Sequence, residues 1–188
     1  MPVPLKLFAL ETLKMPSSMR LVKITRILFF LSALFLFFSC GKKNEETLVL
    51  APITLSAEGP YFEGPNSFQG NIGSDLKDFL QKKGYQQEQL KDLKIVKASV
   101  LLDSLAQNIE DLTLQVVSEK ESMQKLAFIN PLPKGKESIE LSVAQEQQNL
   151  ASYFLEGGTL ILDANFLKEM ETNISFEVKL ELQLTIKN

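Results

Sequence analysis

Residues 174–187 place the first constraint on the fold. Ile174, Phe176, Val178, Leu180, Leu182, Leu184 and Ile186 alternate with Ser175, Glu177, Lys179, Glu181, Gln183, Thr185 and Lys187. A strict period of two builds a strand with one buried and one wet face. At ~3.3 Å per residue the run exceeds an ordinary strand, so it is expected to bend or to change partners along its length.

Shorter stretches repeat the pattern. Thr47–Ser56, Lys94–Leu102, Leu112–Val117, Leu126–Ile129, Ser138–Val143 and Thr159–Phe166 read as strands separated mostly by polar or Gly-containing turns. Pro52 marks an edge or a bulge in the first. Two helices interrupt them. Ser74 is expected to cap Asp75–Lys83, with acids early, Lys82 and Lys83 late, and Gly84 to close it. Asn149 precedes Leu150–Leu155, which Gly157-Gly158 ends. Many short strands at this spacing predict a mainly β chain, an antiparallel β-sandwich with one or two short helices.

The other end of the chain reads as a leader. Arg20, Lys23 and Arg26 precede the apolar run Ile27–Phe38, and Ser39 supplies a small residue before Cys40. This is the order of a cleaved signal peptide. A membrane-spanning helix needs ~20 apolar residues, and Lys23 and Arg26 interrupt the run. Leu36-Phe37-Phe38-Ser39-Cys40 resembles the lipobox of bacterial lipoproteins. The resemblance implies a diacylglyceryl thioether on Cys40, cleavage before it, and anchorage in the outer membrane. Residues 1–18 fit no part of a leader, so the expected start is Met19, with Met15 the other candidate, and 19–39 the signal peptide.

Residues 40–46 then form a lipidated tether, and 47–188 the folded domain. Gly41 is not the aspartate that retains some lipoproteins in the inner membrane. Lys43-Asn44-Glu45-Glu46 resembles a signal for export to the cell surface, and a plain polar tether accounts for it as well. The anchor thus meets the membrane from its periplasmic face or its outer surface.

From Cys40 onward, 149 residues carry 15 lysines against 22 Asp and Glu, and no Arg, His, Trp or second Cys. Without His or a free thiol, the Ser-His-Asp and Cys-His arrangements cannot be built. Zinc, copper and haem lose their usual ligands, so no cofactor or metal is expected. An acidic domain without Arg is a poor match for nucleic acid.

Within the domain, the run Leu90–Val100 and the later order of strand, turn at Asn149–Gly158 and two further strands resemble β-sandwich lipoproteins of Gram-negative envelopes. That resemblance covers Leu76 to Ile186 and implies a fold without an activity.

Several segments are candidate sites. Glu58-Gly59-Pro60-Tyr61-Phe62-Glu63-Gly64-Pro65 holds an aromatic pair between two Gly-Pro turns. Tyr61 and Phe62 either form a stiff binding loop or fold back as a lid on the core. Ser104, in Asp103-Ser104-Leu105, resembles an O-glycosylation acceptor of envelope proteins. Ser74/Lys77 and Ser122/Lys125 match Ser-x-x-Lys, but the companion elements of that catalytic set are absent. Asn108, Glu110 and Asp111 offer oxygen ligands without the spacing of a calcium loop.

The expected function is a non-enzymatic binding or structural module, anchored by lipid and meeting another envelope protein or a glycan. Lys97, Ser99 and the polar series Ser175–Lys187 are expected on its wet side. Two alternatives stay open: a carrier of lipid or another apolar ligand in a cavity between the sheets, and a hydrolase using Asp/Glu or Ser/Lys.

Overall fold

A computed structural model of the protein describes residues 44–102, 108–171 and 173–187. Nine strands appear among them: β1 (Asn44–Val49), β2 (Ile53–Ser56), β3 (Gly64–Asn71), β4 (Leu90–Leu101), β5 (Ile109–Val117), β6 (Gln124–Ile129), β7 (Ser138–Val143), β8 (Thr159–Phe166) and β9 (Ser175–Ile186). Helix α1 (Asp75–Lys83) and a 3-10 turn, Gln87–Gln89, lie between β3 and β4. Helix α2 (Ala151–Glu156) precedes β8.

The expected sandwich is wrong: the strands form one antiparallel sheet that closes into an eight-stranded barrel. Strand β9 is the closing element. One of its edges pairs with β4 from Ile186/Leu90 to Glu177/Leu101. The other takes β1 along Glu181–Ile186 and β2 along Ser175–Val178. β1 and β2 therefore act as one broken stave, with Pro52 in the break. The wall continues β2-β3-β8-β5-β6-β7-β4 and returns to β9.

Local irregularities let the sheet curl. Register shifts fall at Leu90/Asp92 and Ile95/Lys97 in β4, at Ile109/Asp111 in β5, and between Lys125 and Ala127 of β6 opposite Leu114/Gln115. Such bulges bend a strand and increase its twist. Gly70 lies where β2 passes closest to β3: a Cβ there would collide with the Thr54 carbonyl oxygen and lie 2.5 Å from Leu55 Cδ2.

Alternation places one face of each strand inside. Leu55, Phe68, Leu93, Leu112, Leu114, Leu162, Leu182 and Leu184 are fully buried. An eight-stranded barrel is just narrow enough for side chains to fill it. The outer wall carries exposed or half-buried polar groups, including Ser67, Gln69, Thr113, Glu140, Asp163, Lys179 and Gln183. A barrel that spans a bilayer has the opposite polarity, with an apolar band facing lipid. Among the described residues no helix is long and apolar enough to cross a membrane.

Side-chain amides repair the wall where strands part. β7 pairs with β4 only along Ala98–Leu101. Farther along β4, Gln147 accepts from the Ile95 N–H at 2.9 Å and donates to the Ile95 carbonyl at 3.0 Å. Asn149 accepts from the Leu93 N–H at 3.0 Å and donates to the Lys91 carbonyl at 2.8 Å. The same Asn149 oxygen accepts from Ala151 N at the start of α2. These two amides occupy the place of a strand edge and satisfy backbone groups that would otherwise be lost to the ladder.

The barrel has two unlike ends. At the helix end lie the start of β1, the end of β9, and the 72–89 and 144–158 segments. There α1 buries Leu76 and Leu80, and α2 buries Ala151, Tyr153 and Phe154. Lys83 Nζ reaches Glu46 Oε2 at 3.1 Å, and Tyr85 Oη donates to Glu46 Oε1 at 3.2 Å. Glu46 lies within β1, so the strand begins three residues before the boundary read from the sequence, and the tether is that much shorter. At the loop end lie the connections 57–63, 130–137 and 167–174.

One enclosed group at the helix end is poorly matched to its surroundings. Gln124 stands opposite Val116, whose side chain is inside the barrel, and its amide N and O are enclosed without a hydrogen-bond partner. An unsatisfied buried amide costs about 1–3 kcal/mol. Gln124→Met keeps the length and removes the polar atoms. It is expected to raise stability by about 1–2 kcal/mol and to move the urea midpoint upward; a lower midpoint would contradict this assignment.

Candidate interaction surface at the loop end

The aromatic pair between the Gly-Pro turns divides its roles. Tyr61 is 2% exposed and closes the loop end of the barrel. Its ring stacks on Phe166 with centroids 5.6 Å apart and lies 5.3 Å from Phe68, which meets Phe176 edge-on at 4.7 Å. Its hydroxyl donates to the Ala57 carbonyl at 2.7 Å and accepts from the Ile174 N–H at 3.2 Å. Reciprocal backbone bonds to Met170 join the 57–63 loop to the 167–174 loop. Tyr61 is thus a plug, and its buried ring is out of reach of a partner.

Phe62 points the other way. It is 63% exposed, yet its backbone is fixed. The Phe62 N–H donates to Asn66 Oδ1 at 3.1 Å, while Asn66 Nδ2 donates to the Phe62 carbonyl at 2.8 Å and the Gly64 carbonyl at 3.0 Å. Gly64 takes φ +99°, a conformation that favours glycine. Leu167, 49% exposed, follows directly on Phe166, the strand partner of Gly64. Glu58, Glu63, Lys168, Glu169 and Glu171 are exposed on the same two loops. The loop end thus exposes two large apolar side chains, Phe62 and Leu167, on loops that also carry four glutamates.

Other candidates are occupied differently. Ser74 stands at the N-cap of α1 but makes no side-chain cap, because its Oγ donates instead to Asp78 Oδ2 at 2.8 Å. The Ser122 carbonyl accepts from Tyr153 Oη at 2.6 Å, and Lys125 Nζ lies over the Phe128 ring at 5.7 Å. Neither Ser-x-x-Lys pair is brought together as a nucleophile and base. Burial, with the Glu121 carboxylate adding to it, pushes the Tyr153 hydroxyl above its ordinary pKa, so it stays a donor. Glu110 and Asp111 accept from Asn165 Nδ2 at 3.2 and 3.5 Å, and Asp111 also accepts from Asn130 Nδ2 at 3.3 Å. Among the described residues no group of three or more His, Cys, Asp or Glu is arranged to hold a metal. Asp163, on the outer wall, accepts from Ser67 Oγ and Gln115 Nε2, both at 2.5 Å. Lys97 pairs with Glu140 at 3.6 Å on that wall.

A surface hollow of about 610 Å³ at the helix end is lined by Val117–Lys120 and Glu156–Thr159, with Lys120 and Glu156 paired at 3.0 Å across it. Cys40 and Ser104 lie outside the described residues. The exposure of Leu167 at the same end of the barrel as Phe62 was missed from sequence. Its one local sign is that Leu167 breaks the alternation of β8 by placing two large apolar residues in succession. No protein-family model and no curated protein matches the chain.

Proposed function

We propose that the chain is a lipoprotein of the outer membrane, anchored through Cys40, whose barrel is a non-catalytic module that docks another envelope protein at its loop end. The observation that carries the docking reading is Phe62. A large ring stands in water while its backbone is clamped on both sides, so little conformational freedom is left to lose on binding. Leu167 adds a second exposed apolar side chain at that end, and the glutamates of the same two loops favour a partner with basic residues around an apolar contact. Lipidation fits the outer wall, which is too polar to insert in hydrocarbon. A lipid anchor with two or more chains then holds the body firmly.

The test is photocrosslinking in intact cells, with a benzophenone amino acid at Phe62 and, as control, at Ser142 on the barrel wall. A discrete adduct is expected from position 62, absent from position 142 and lost when Leu167→Asp is added. Equal adducts from both positions, or none from position 62, would overturn the docking reading.

A further inference from the structure

We infer that Asn66 is the positioning residue of the Phe62 site: its side-chain amide holds the β2–β3 loop in the shape that presents the ring to a partner. This rests on the docking reading of Phe62. The ring itself does little to fix the loop, because it is 63% exposed. Asn66 supplies what packing does not. Its Oδ1 accepts from the Phe62 N–H at 3.1 Å, and its Nδ2 donates to the Phe62 carbonyl at 2.8 Å. These two bonds close a ring that contains both the N–Cα and the Cα–C bonds of Phe62, so φ and ψ are restrained together. A third bond, from Nδ2 to the Gly64 carbonyl at 3.0 Å, ties down the turn in which Gly64 takes φ +99°. Asn66 is in turn fixed to the wall, as a residue of β3 paired with Ala164 of β8.

The side-chain chemistry is selective. An acceptor oxygen and an NH2 group with two donors must sit on the same carbon, and among short side chains only asparagine provides this. Aspartate keeps the acceptor and loses both donors, while alanine loses all three. Tyr61 does not depend on this amide. It is held by reciprocal backbone bonds to Met170 and by the bonds of its hydroxyl to Ala57 and Ile174. Loss of the Asn66 amide therefore frees Phe62 while the barrel stays plugged. A freed residue has to be ordered again on binding, which lowers affinity for a partner by roughly five- to thirtyfold.

The full-length protein with a benzophenone amino acid at position 62 is irradiated in intact cells in three backgrounds: the parent, Asn66→Asp and Asn66→Ala. The adduct is expected to weaken in that order, by about fivefold or more for Asn66→Ala. Hydrogen exchange of the purified variants separates positioning from folding. Peptides covering 57–66 should exchange faster, while those of β8 and β9 keep the parent's rates. An undiminished adduct in Asn66→Ala overturns the role of Asn66 and leaves the docking reading standing. So does exchange that speeds up equally in β8 and β9, which would make Asn66 a general support of the fold. A parent chain that forms no adduct overturns the docking reading, and this inference with it.

Discussion

Tyr61→Ala is expected to destabilise the barrel by about 3–5 kcal/mol, the usual cost of deleting a buried aromatic ring. The ring is 2% exposed, stacks on Phe166 and lies beside Phe68, so its removal opens a void where the loop end is closed. Small domains have about 5–15 kcal/mol in total. The variant should therefore be marginal, with its urea midpoint lower by roughly 2 M for an ordinary denaturant slope. Tyr61→Phe isolates the hydroxyl: it keeps the ring but strands the Ala57 carbonyl and the Ile174 N–H, for about 1–3 kcal/mol. Phe62→Ala, one residue along, should stay within about 0.5 kcal/mol of the parent. Equilibrium urea unfolding of the three variants checks the order. If Tyr61→Ala and Phe62→Ala shift the midpoint equally, the assignment of one ring to the core and the other to solvent fails.

That contrast also shows what the sequence could and could not tell. The aromatic pair between two Gly-Pro turns was visible, but which ring faces inward depends on β3, which local preference conceals. Gly64, Pro65, Asn66, Ser67 and Gly70 are poor strand residues, and of the strand's eight residues Phe68 alone is fully buried. β3 holds because β8 pairs with it from Gly64/Phe166 to Asn71/Thr159, a contact nearly a hundred residues distant in the chain. Losing one strand from view also hides closure.

Elements with strong local signals fared better. Ser138–Val143, Thr159–Phe166 and Asp75–Lys83 match the structure residue for residue, and Gly84 closes the helix at φ 76°. The alternation in β9 placed its buried face correctly. It could not say that both edges are paired along most of the strand, and that pairing separates a barrel from a sandwich. A period of two is the same in both. Gln147 and Asn149 were equally silent: polar residues in a loop, they serve as strand edge only because β7 diverges from β4.

Under the proposed anchorage, Cys40→Ser is expected to have the second large effect, and an all-or-none one. Oxygen in place of sulfur removes the thioether acceptor, so no diacylglyceryl group attaches and the step that cleaves before an acylated residue loses its substrate. The described barrel offers no substitute anchor, since its wall is lined with Ser67, Thr113, Glu140, Asp163 and Lys179. Without acyl chains, each buried methylene's contribution of ~0.8 kcal/mol is lost, and the chain should leave the membrane fraction unless its uncleaved leader retains it.

The most direct test is metabolic labelling of cells with radioactive palmitate, followed by recovery of the parent protein and of Cys40→Ser. The account predicts label in the parent and none in the variant, with the parent shortened to begin at Cys40. A parent protein that takes up no label, or a variant labelled to the same extent, contradicts it.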